Sequence, residues 1–432
     1  MDEIVIIGGG FAGLSSAVYL SKSNHKVILL ESSPKLGGRA YSFPVEKHDD
    51  FVDNGQHILM GCYPYTLNYL REIGSLDKLY FQKSLELNLV ENGGEQLKLG
   101  GNSTLYPFNL MYALFSFPRF DLKDKMALTR FFAKLPFTPE AKLKDLSIEE
   151  WLNKTRQTGN ARKYFWDLLI VGAFNTTAER ASALVFREIL IEMFLRGNKA
   201  STLIIPQTGL SDLYCEPSEK FLREKGNVVK LNERVTSFEI ENGRIAKIIT
   251  NKNMYSGFNY VISAVPVANY LQIRKNGLDE NLLEKFEVSP ILSIHLWLNN
   301  YEFNEKFYGF TGSFFHWLFV HEKHITLVKS NATELIKLPK EIIRSKVTEE
   351  LTKYFPDFTG KNVKDILIIK EKRATFVSSL QFERARNSVK APYKNLVFAG
   401  DWTNTKLPST IESAVKSGKT AADKIEKLIK SE

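Results

Sequence analysis

A strand, a glycine turn, a helix, a second strand and an acid follow one another within the first 31 residues of the chain. The apolar run Ile4-Val5-Ile6-Ile7 leads into Gly8-Gly9-Gly10-Phe11-Ala12-Gly13, and Leu14 to Leu20 continues as a helix. In the spacing G-x-G-x-x-G, Gly8 permits a tight turn out of the strand. Gly10 lets a pyrophosphate approach the backbone, and Gly13 lets the helix pack close to the sheet. Phe11 and Ala12 open the helix, whose free N–H groups and positive dipole end face the phosphates. The run Val27-Ile28-Leu29-Leu30 ends in Glu31, 18 residues past Gly13. That is near the roughly 20 expected for a carboxylate holding a ribose hydroxyl. This order commits the chain to a βαβ unit and hence to an α/β fold with a parallel sheet.

Glu31-Ser32-Ser33-Pro34-Lys35-Leu36-Gly37-Gly38-Arg39 continues directly from the ribose acid. Gly37 and Gly38 allow another close backbone approach, and Arg39 offers a fork of donors to phosphate oxygens. Here the sequence resembles the FAD-binding flavoprotein superfamily that includes amine oxidases and phytoene desaturases, in which E-x(5)-G-G-R is a second dinucleotide signature. The resemblance implies FAD, held by Gly8, Gly10, Phe11, Ala12, Gly13, Glu31, Gly38 and Arg39.

With 432 residues the chain is too long for one ordinary core and suits two intertwined domains. The 30 Phe and 17 Tyr suit either large cores or a long apolar tunnel, and composition does not choose. A formal net charge of +9 invites an anionic partner. There is no compact Lys/Arg block and no RNA-binding motif, so no nucleic acid is expected. Cys62 and Cys215 form neither a CxxC pair nor zinc spacing, so no metal site is expected and a reducing cytoplasm fits. The first strand begins within four residues, so no signal peptide is expected. No apolar run reaches the ~18–20 residues of a membrane span; Leu105 to Pro118 comes nearest.

We expect an α/β fold in which a discontinuous Rossmann-like FAD-binding domain carries an inserted α+β substrate domain. Segments 1–75, 200–265 and 390–432 form the first; 76–199 and 266–389 form the second. A helix is expected from Ser211 to Lys225. Asn242-Gly243 between two β-rich runs signals a hairpin. Tyr260 to Val265 reads as a buried strand. The alternation along Ile291 to Leu298 sets Ser293, His295 and Trp297 on one face and Ile294, Leu296 and Leu298 on the other, and one face is placed to line a cavity. The superfamily resemblance implies that Val235 packs its backbone against adenine; a plain buried strand is the competing reading.

Near the C-terminus, Asn395 to Asp401 reads as a strand ending in Gly-Asp, and Ser409 to Ala422 as a capped helix. This resembles the superfamily's closing flavin motif. The resemblance implies that Gly400 and Asp401 contact the ribityl chain. It also places Thr410, Ile411 and Glu412 near the ring, with the helix dipole aimed at the flavin.

Four segments narrow the match: Phe51-Val52-Asp53-Asn54-Gly55-Gln56-His57, Arg180 to Phe186, Pro206 to Pro217, and Ala399 to Glu412. Together they resemble the hydroxysqualene dehydroxylase family, the squalene-associated FAD-dependent desaturases. The stretch 103–140 does not align with the family pattern, and substrate contacts there are unassigned. The implied reaction is reductive dehydroxylation of hydroxysqualene to squalene, with hydride from reduced flavin N5. The implied partners are a C30 isoprenoid substrate and an unidentified electron donor. Because such substrates reside in bilayers, docking on the cytoplasmic face of a membrane is expected, with Leu105–Pro118 for apolar insertion and Arg119 to Lys134 for attraction. A buried substrate-domain helix is the competing reading of that stretch. His57 is the leading candidate for proton donor or leaving-group hydrogen bond, because its ordinary pKa near ~6.5 suits transfer near neutrality. Gln56 is placed to orient it or the substrate, and Glu412 is a second candidate acid if burial raises its pKa, with a cap or surface contact as the competing reading. Asp53 is expected to fix the loop. His295, His316, His321 and His324 are expected to be structural, and Trp402 either covers the flavin or fills a core. A carotenoid-type desaturase, an amine oxidase and a non-catalytic FAD carrier are the competing functions.

Overall fold

The fold is seen in a computed structural model that describes residues 2–100, 106, 108–157, 159–273, 278 and 282–431. Its organising element is a five-stranded parallel sheet. The strand order is Val228–Lys230, Lys26–Leu30, Glu3–Ile7, Tyr260–Ser263 and Leu396–Phe398. Ile4 and Ile6 face one core and Val5 and Ile7 the other, as expected of a strand covered on both sides. Helix Phe11–Lys22 packs between this sheet and the long closing helix Ile411–Ser431. Gly418 makes that packing close. A Cβ there would collide with the Ala12 carbonyl, and Ser16 Oγ donates to the Gly418 carbonyl at 3.1 Å. The two ends of the chain therefore build one layer.

Val235–Glu241 and Arg244–Thr250 pair through the expected hairpin, with Asn242 and Gly243 both at positive φ. The expected 211–225 helix divides into a wide turn, Ser211–Cys215, and a regular helix, Glu216–Glu224. Pro217 lacks the N–H that would continue regular bonding across that junction.

A seven-stranded sheet forms a second layer. It runs Val363–Phe376, Val288–Leu298, Ile325–Ser330, Trp317–Val320, Phe307–Phe310, Glu86–Val90 and Gln96–Gly100. The strand Val288–Leu298 has two buried faces. Leu292, Ile294 and Leu296 join the core beneath helix Lys340–Tyr354. Ile291, Ser293 and His295 point the other way, toward the segment Asp53 to Ile58. Helices Phe108–Ser116, Leu122–Lys134, Asp167–Phe174 and Ala183–Phe194 close over the sheet's other end around an aromatic-rich core. The residues Leu105 and Pro107 of the sequence's longest apolar run lie outside the described residues.

Candidate active site

Between the two layers lies a cavity of about 560 Å³. At one end it is lined by Gly8, Gly9, Gly10, Phe11, Ala12, Glu31, Gly38 and Arg39 from the start of the chain, and by Gly400, Asp401, Thr410, Ile411 and Glu412 from its end. At the other end its walls are apolar, with Leu85, Leu168, Ile189, Met193, Phe307 and Phe319 among them.

The glycines divide by what they meet. Gly8 turns at φ +106°, and a Cβ on Gly13 would strike the Gly8 carbonyl, so both are required by the protein's own backbone. Gly10 differs. A Cβ there would stand 3.7 Å from Gly38 Cα, an ordinary contact, so the fold itself does not forbid a side chain. Its bareness suits a group that needs the space. Gly9 N–H donates to Glu31 Oε2 at 2.7 Å, and Ser33 N–H to Glu31 Oε1 at 2.7 Å, which hold the carboxylate at the cavity wall.

Tyr214 fixes the second glycine loop. Its hydroxyl spans the Gly37 and Ala40 carbonyls at 2.7 and 2.6 Å, and its ring stacks on Phe11 at 3.6 Å. Asn54 ties the same loop to the next motif: its Nδ2 donates to the Arg39 carbonyl at 3.0 Å and its Oδ1 accepts from Tyr41 N–H at 3.0 Å. Arg39 pairs with Asp401 at 2.6 Å, and Ser409 Oγ donates to the other Asp401 oxygen. Thr410 Oγ1 accepts from Ser413 N–H at 3.2 Å and caps the closing helix, whose first turn lies at the cavity. A dinucleotide fits this donor set. Two helix N-termini, an acid, an arginine and a bare glycine converge on one polar end.

Three expectations need correction. Val235 does not line the cavity; it is buried with Ile7 and Leu30 in the core beneath the sheet. Glu412 does line it, but its carboxylate accepts from Tyr65 N–H at 3.0 Å, Thr66 N–H at 2.8 Å and Thr66 Oγ1 at 2.7 Å. It caps the first turn of helix Pro64–Glu72. Burial raises its pKa and the three donors oppose the rise, so a free general acid is not what the geometry provides. His57 lines the cavity, yet burial pushes its pKa down to about 4. It is a neutral imidazole near neutrality, and its Nε2 is buried with no hydrogen-bond partner among the described residues.

Gln56 lines the cavity beside His57. Asp53 holds the loop as expected, accepting from Leu210 N–H at 2.9 Å and Ser42 Oγ at 2.7 Å, while burial lifts its pKa to about 6. His295 supports the same loop from below. Its Nε2 must donate to the Asp53 carbonyl at 3.1 Å, so its Nδ1 accepts from Thr326 Oγ1 at 2.9 Å. Trp402 lines the cavity edge and is otherwise buried, its Nε1 donating to the Val265 carbonyl at 3.1 Å. Sequence reasoning missed Arg386. It is buried, paired with Glu383 at 2.6 Å, and donates to the Leu407 carbonyl at 2.7 Å, which sets the loop before Thr410. Only its place in the short run Glu383-Arg384-Ala385-Arg386 hinted at an i,i+3 pair.

A family model described as flavin containing amine oxidoreductase matches residues 11–426. The chain belongs to this family. It is thus an FAD-dependent oxidoreductase, and the glycine-lined end of the cavity is where the family's cofactor suits the residues present. Curated relatives of this family member include a hydroxysqualene dehydroxylase of Zymomonas mobilis, 26% identical over 98% of this chain and 99% of that one. A 15-cis-phytoene desaturase of Glycine max is 27% identical over 98% of this chain and 79% of that one. Among solved structures, an oxidoreductase from Methanosarcina mazei superposes with a TM-score of 0.77 at 18% identity, covering 98% of this chain and all (100%) of that one. Cyclohexylamine oxidase from Brevibacterium oxydans gives 0.73 at 14% identity, covering 99% of both chains. These structural likenesses establish the fold.

Proposed function

We propose that this oxidoreductase removes the hydroxyl of hydroxysqualene to give squalene and water. One observation carries the reading: the segment Asn54 to Ile58 joins the two ends of the cavity. Asn54 is bonded to the Arg39 carbonyl at the polar end, and Ile58 packs with Phe307, Phe319 and Val328 in the apolar wall. Gln56 and His57 stand between them. A long apolar substrate with one hydroxyl needs that sequence of surfaces. Relatives named hydroxysqualene dehydroxylase, matched over nearly their whole length, support the same substrate class.

Segments 1–75, 200–265 and 390–432 are assigned to FAD binding, and 76–199 and 266–389 to substrate. Gly8, Gly10, Phe11, Ala12, Glu31, Gly38, Arg39, Gly400, Asp401, Thr410 and Ile411 would hold the cofactor, and Gly13 keeps the helix that faces it close to the strand. When bound, fully reduced FAD would supply the hydride together with the proton that leaves with the hydroxyl as water. The chain's own residues do the rest. The apolar wall takes up the hydrocarbon and excludes water from the reacting carbon. Neutral His57 holds the substrate hydroxyl by a hydrogen bond at Nε2, and Gln56 orients it. Glu412 keeps helix Pro64–Glu72 against the closing helix.

The phytoene desaturase relative favours a second reading, oxidative desaturation of a related polyene. One experiment separates the two. The flavin-loaded protein is reduced without oxygen and given hydroxysqualene; the oxidised protein is given phytoene with a quinone. Squalene formed in proportion to flavin reoxidised supports dehydroxylation. Desaturated phytoene with no squalene overturns it.

A further inference from the structure

We propose that helices Phe108–Ser116 and Leu122–Lys134 form a docking face for an anionic lipid bilayer. The inference goes beyond the substrate reading and does not depend on which apolar molecule the cavity takes. Large apolar side chains are exposed on these helices, Tyr112 (44%), Phe115 (47%), Leu122 (67%) and Met126 (48%), and on the short turn Leu135–Phe137 that follows, Phe137 (83%). Leu122, Met126 and Ala133 recur at helical spacing and share one side of their helix. Lys123, Arg130 and Lys134 are exposed along the edge of that stripe. None of the three forms an ion pair among the described residues, whereas nearby Arg119 and Lys163 are paired with Glu91. The face therefore offers apolar insertion flanked by unpaired positive charge, which suits an interface of acyl chains under anionic headgroups. An acidic protein surface would match the charge but not the apolar stripe. Asp121 and Asp124 lie at the helix start, where each bonds the other's backbone in a capping box.

The opposite sides of the same helices lead inward. Leu110, Leu114, Leu128, Phe131 and Phe132 belong to one core with Phe165, Leu168, Ile189, Met193 and Phe194, which line the apolar end of the cavity. The docking face is thus one layer of side chains away from the wall that receives a hydrocarbon. Among the described residues no helix is long and apolar enough to cross a membrane, so attachment here is from one side.

The test is flotation of the flavin-loaded full chain with vesicles of phosphatidylcholine alone or mixed with phosphatidylglycerol. The wild-type chain is expected to float with the mixed vesicles and to be released by salt. Two variants separate the contributions: Lys123→Glu/Arg130→Glu/Lys134→Glu, and Leu122→Ser/Met126→Ser/Phe137→Ser. Each alters exposed side chains only, so flavin absorbance and melting temperature are expected to stay as in the wild type, while partitioning falls at least about tenfold. No flotation of the wild type, or undiminished flotation of both variants, overturns the proposal. A wild-type dimer in sedimentation that the serine variant abolishes, without vesicle binding, assigns the face to a second copy and also overturns it.

Discussion

Arg39 and Asp401 stand 362 residues apart in sequence and 2.6 Å apart in the fold. The pair joins the second glycine loop to the Gly-Asp turn that precedes the closing helix. The Asp401 side chain is only 4% exposed, so its charge depends on Arg39 and on the Ser409 hydroxyl. The Arg39 side chain is 36% exposed, which weakens the pair through solvent screening. Arg39→Ala is expected to destabilise the folded chain by about 1–3 kcal/mol, the scale of a buried acceptor losing one partner. It is also expected to release flavin. Thermal melting with and without added FAD checks both. Unchanged flavin content would show that the pair is only structural.

Gly13 and Gly10 should fail in different ways. At Gly13 a methyl group would meet the Gly8 carbonyl, so Gly13→Ala disrupts helix against strand and should lower the melting temperature even without flavin. At Gly10 the nearest protein atom to an added Cβ is 3.7 Å away. Gly10→Val should therefore leave the apoprotein's circular dichroism intact and abolish flavin binding. Full flavin occupancy in Gly10→Val would remove the proposed phosphate contact.

Glu412 and His57 make a second contrast. Glu412→Gln replaces one of the two acceptor oxygens at the first turn of helix Pro64–Glu72 and weakens its bonds to Tyr65 and Thr66. A cap of this kind contributes about 0.5–2 kcal/mol. A lower melting temperature is expected, with the shape of the pH–rate profile unchanged. His57→Gln should keep flavin and slow single-turnover dehydroxylation about 5- to 150-fold, as loss of a hydrogen bond of about 1–3 kcal/mol implies. Should Glu412→Gln erase a limb of the pH profile, the cap assignment is wrong. Should His57→Gln turn over at the normal rate, His57 has no part in the reaction.

What the sequence made legible was local. Gly8, Gly13 and Glu31 are readable because turn, packing and ribose acid fall within one βαβ unit, and spacing carries the geometry. The Asn242-Gly243 hairpin is readable for the same reason. Which of its two readings Glu412 takes is not legible because its partner Thr66 lies 346 residues away, and nothing near Glu412 in the chain shows a helix terminus waiting for an acceptor. The protonation of His57 is not legible because its pKa depends on burial by distant segments. The parallel pairing of Phe307–Phe310 with Glu86–Val90 is equally remote. Alternation along Ile291 to Leu298 separated the two faces correctly, but not that His295 would support the Asp53 carbonyl.

Burial of imidazoles also sets how stability depends on pH. The pKa of His57 falls to about 4, and those of His295, His316 and His321 to about 3, with burial the first cause in each case. In the unfolded chain each returns to about 6.5. Above that pH both states are neutral and the histidines' contribution is complete. As pH falls toward 4 the unfolded chain takes up protons that the folded chain refuses, so stability is lost. Asp53 acts in the opposite sense, since its folded pKa of about 6 lies above its ordinary value of 3.8. Glu383, lifted to about 7, and Glu412 and Asp167, also raised by burial, act as Asp53 does, while His324, lowered by burial, joins the imidazoles. The two sets oppose each other on acidification from neutrality, so the imidazole share is read from single variants, each titrating group contributing up to about 1.4 kcal/mol per pH unit. His316 does not itself line the cavity; its Nδ1 accepts from Ser330 N–H at 3.2 Å, and its Nε2 stands 2.9 Å from Lys329 Nζ. His316→Gln should therefore flatten the acid limb by one imidazole's share without changing flavin content. Denaturant melts across this window decide it. An acid limb in His316→Gln that matches the wild type would show that this ring is protonated in the folded chain.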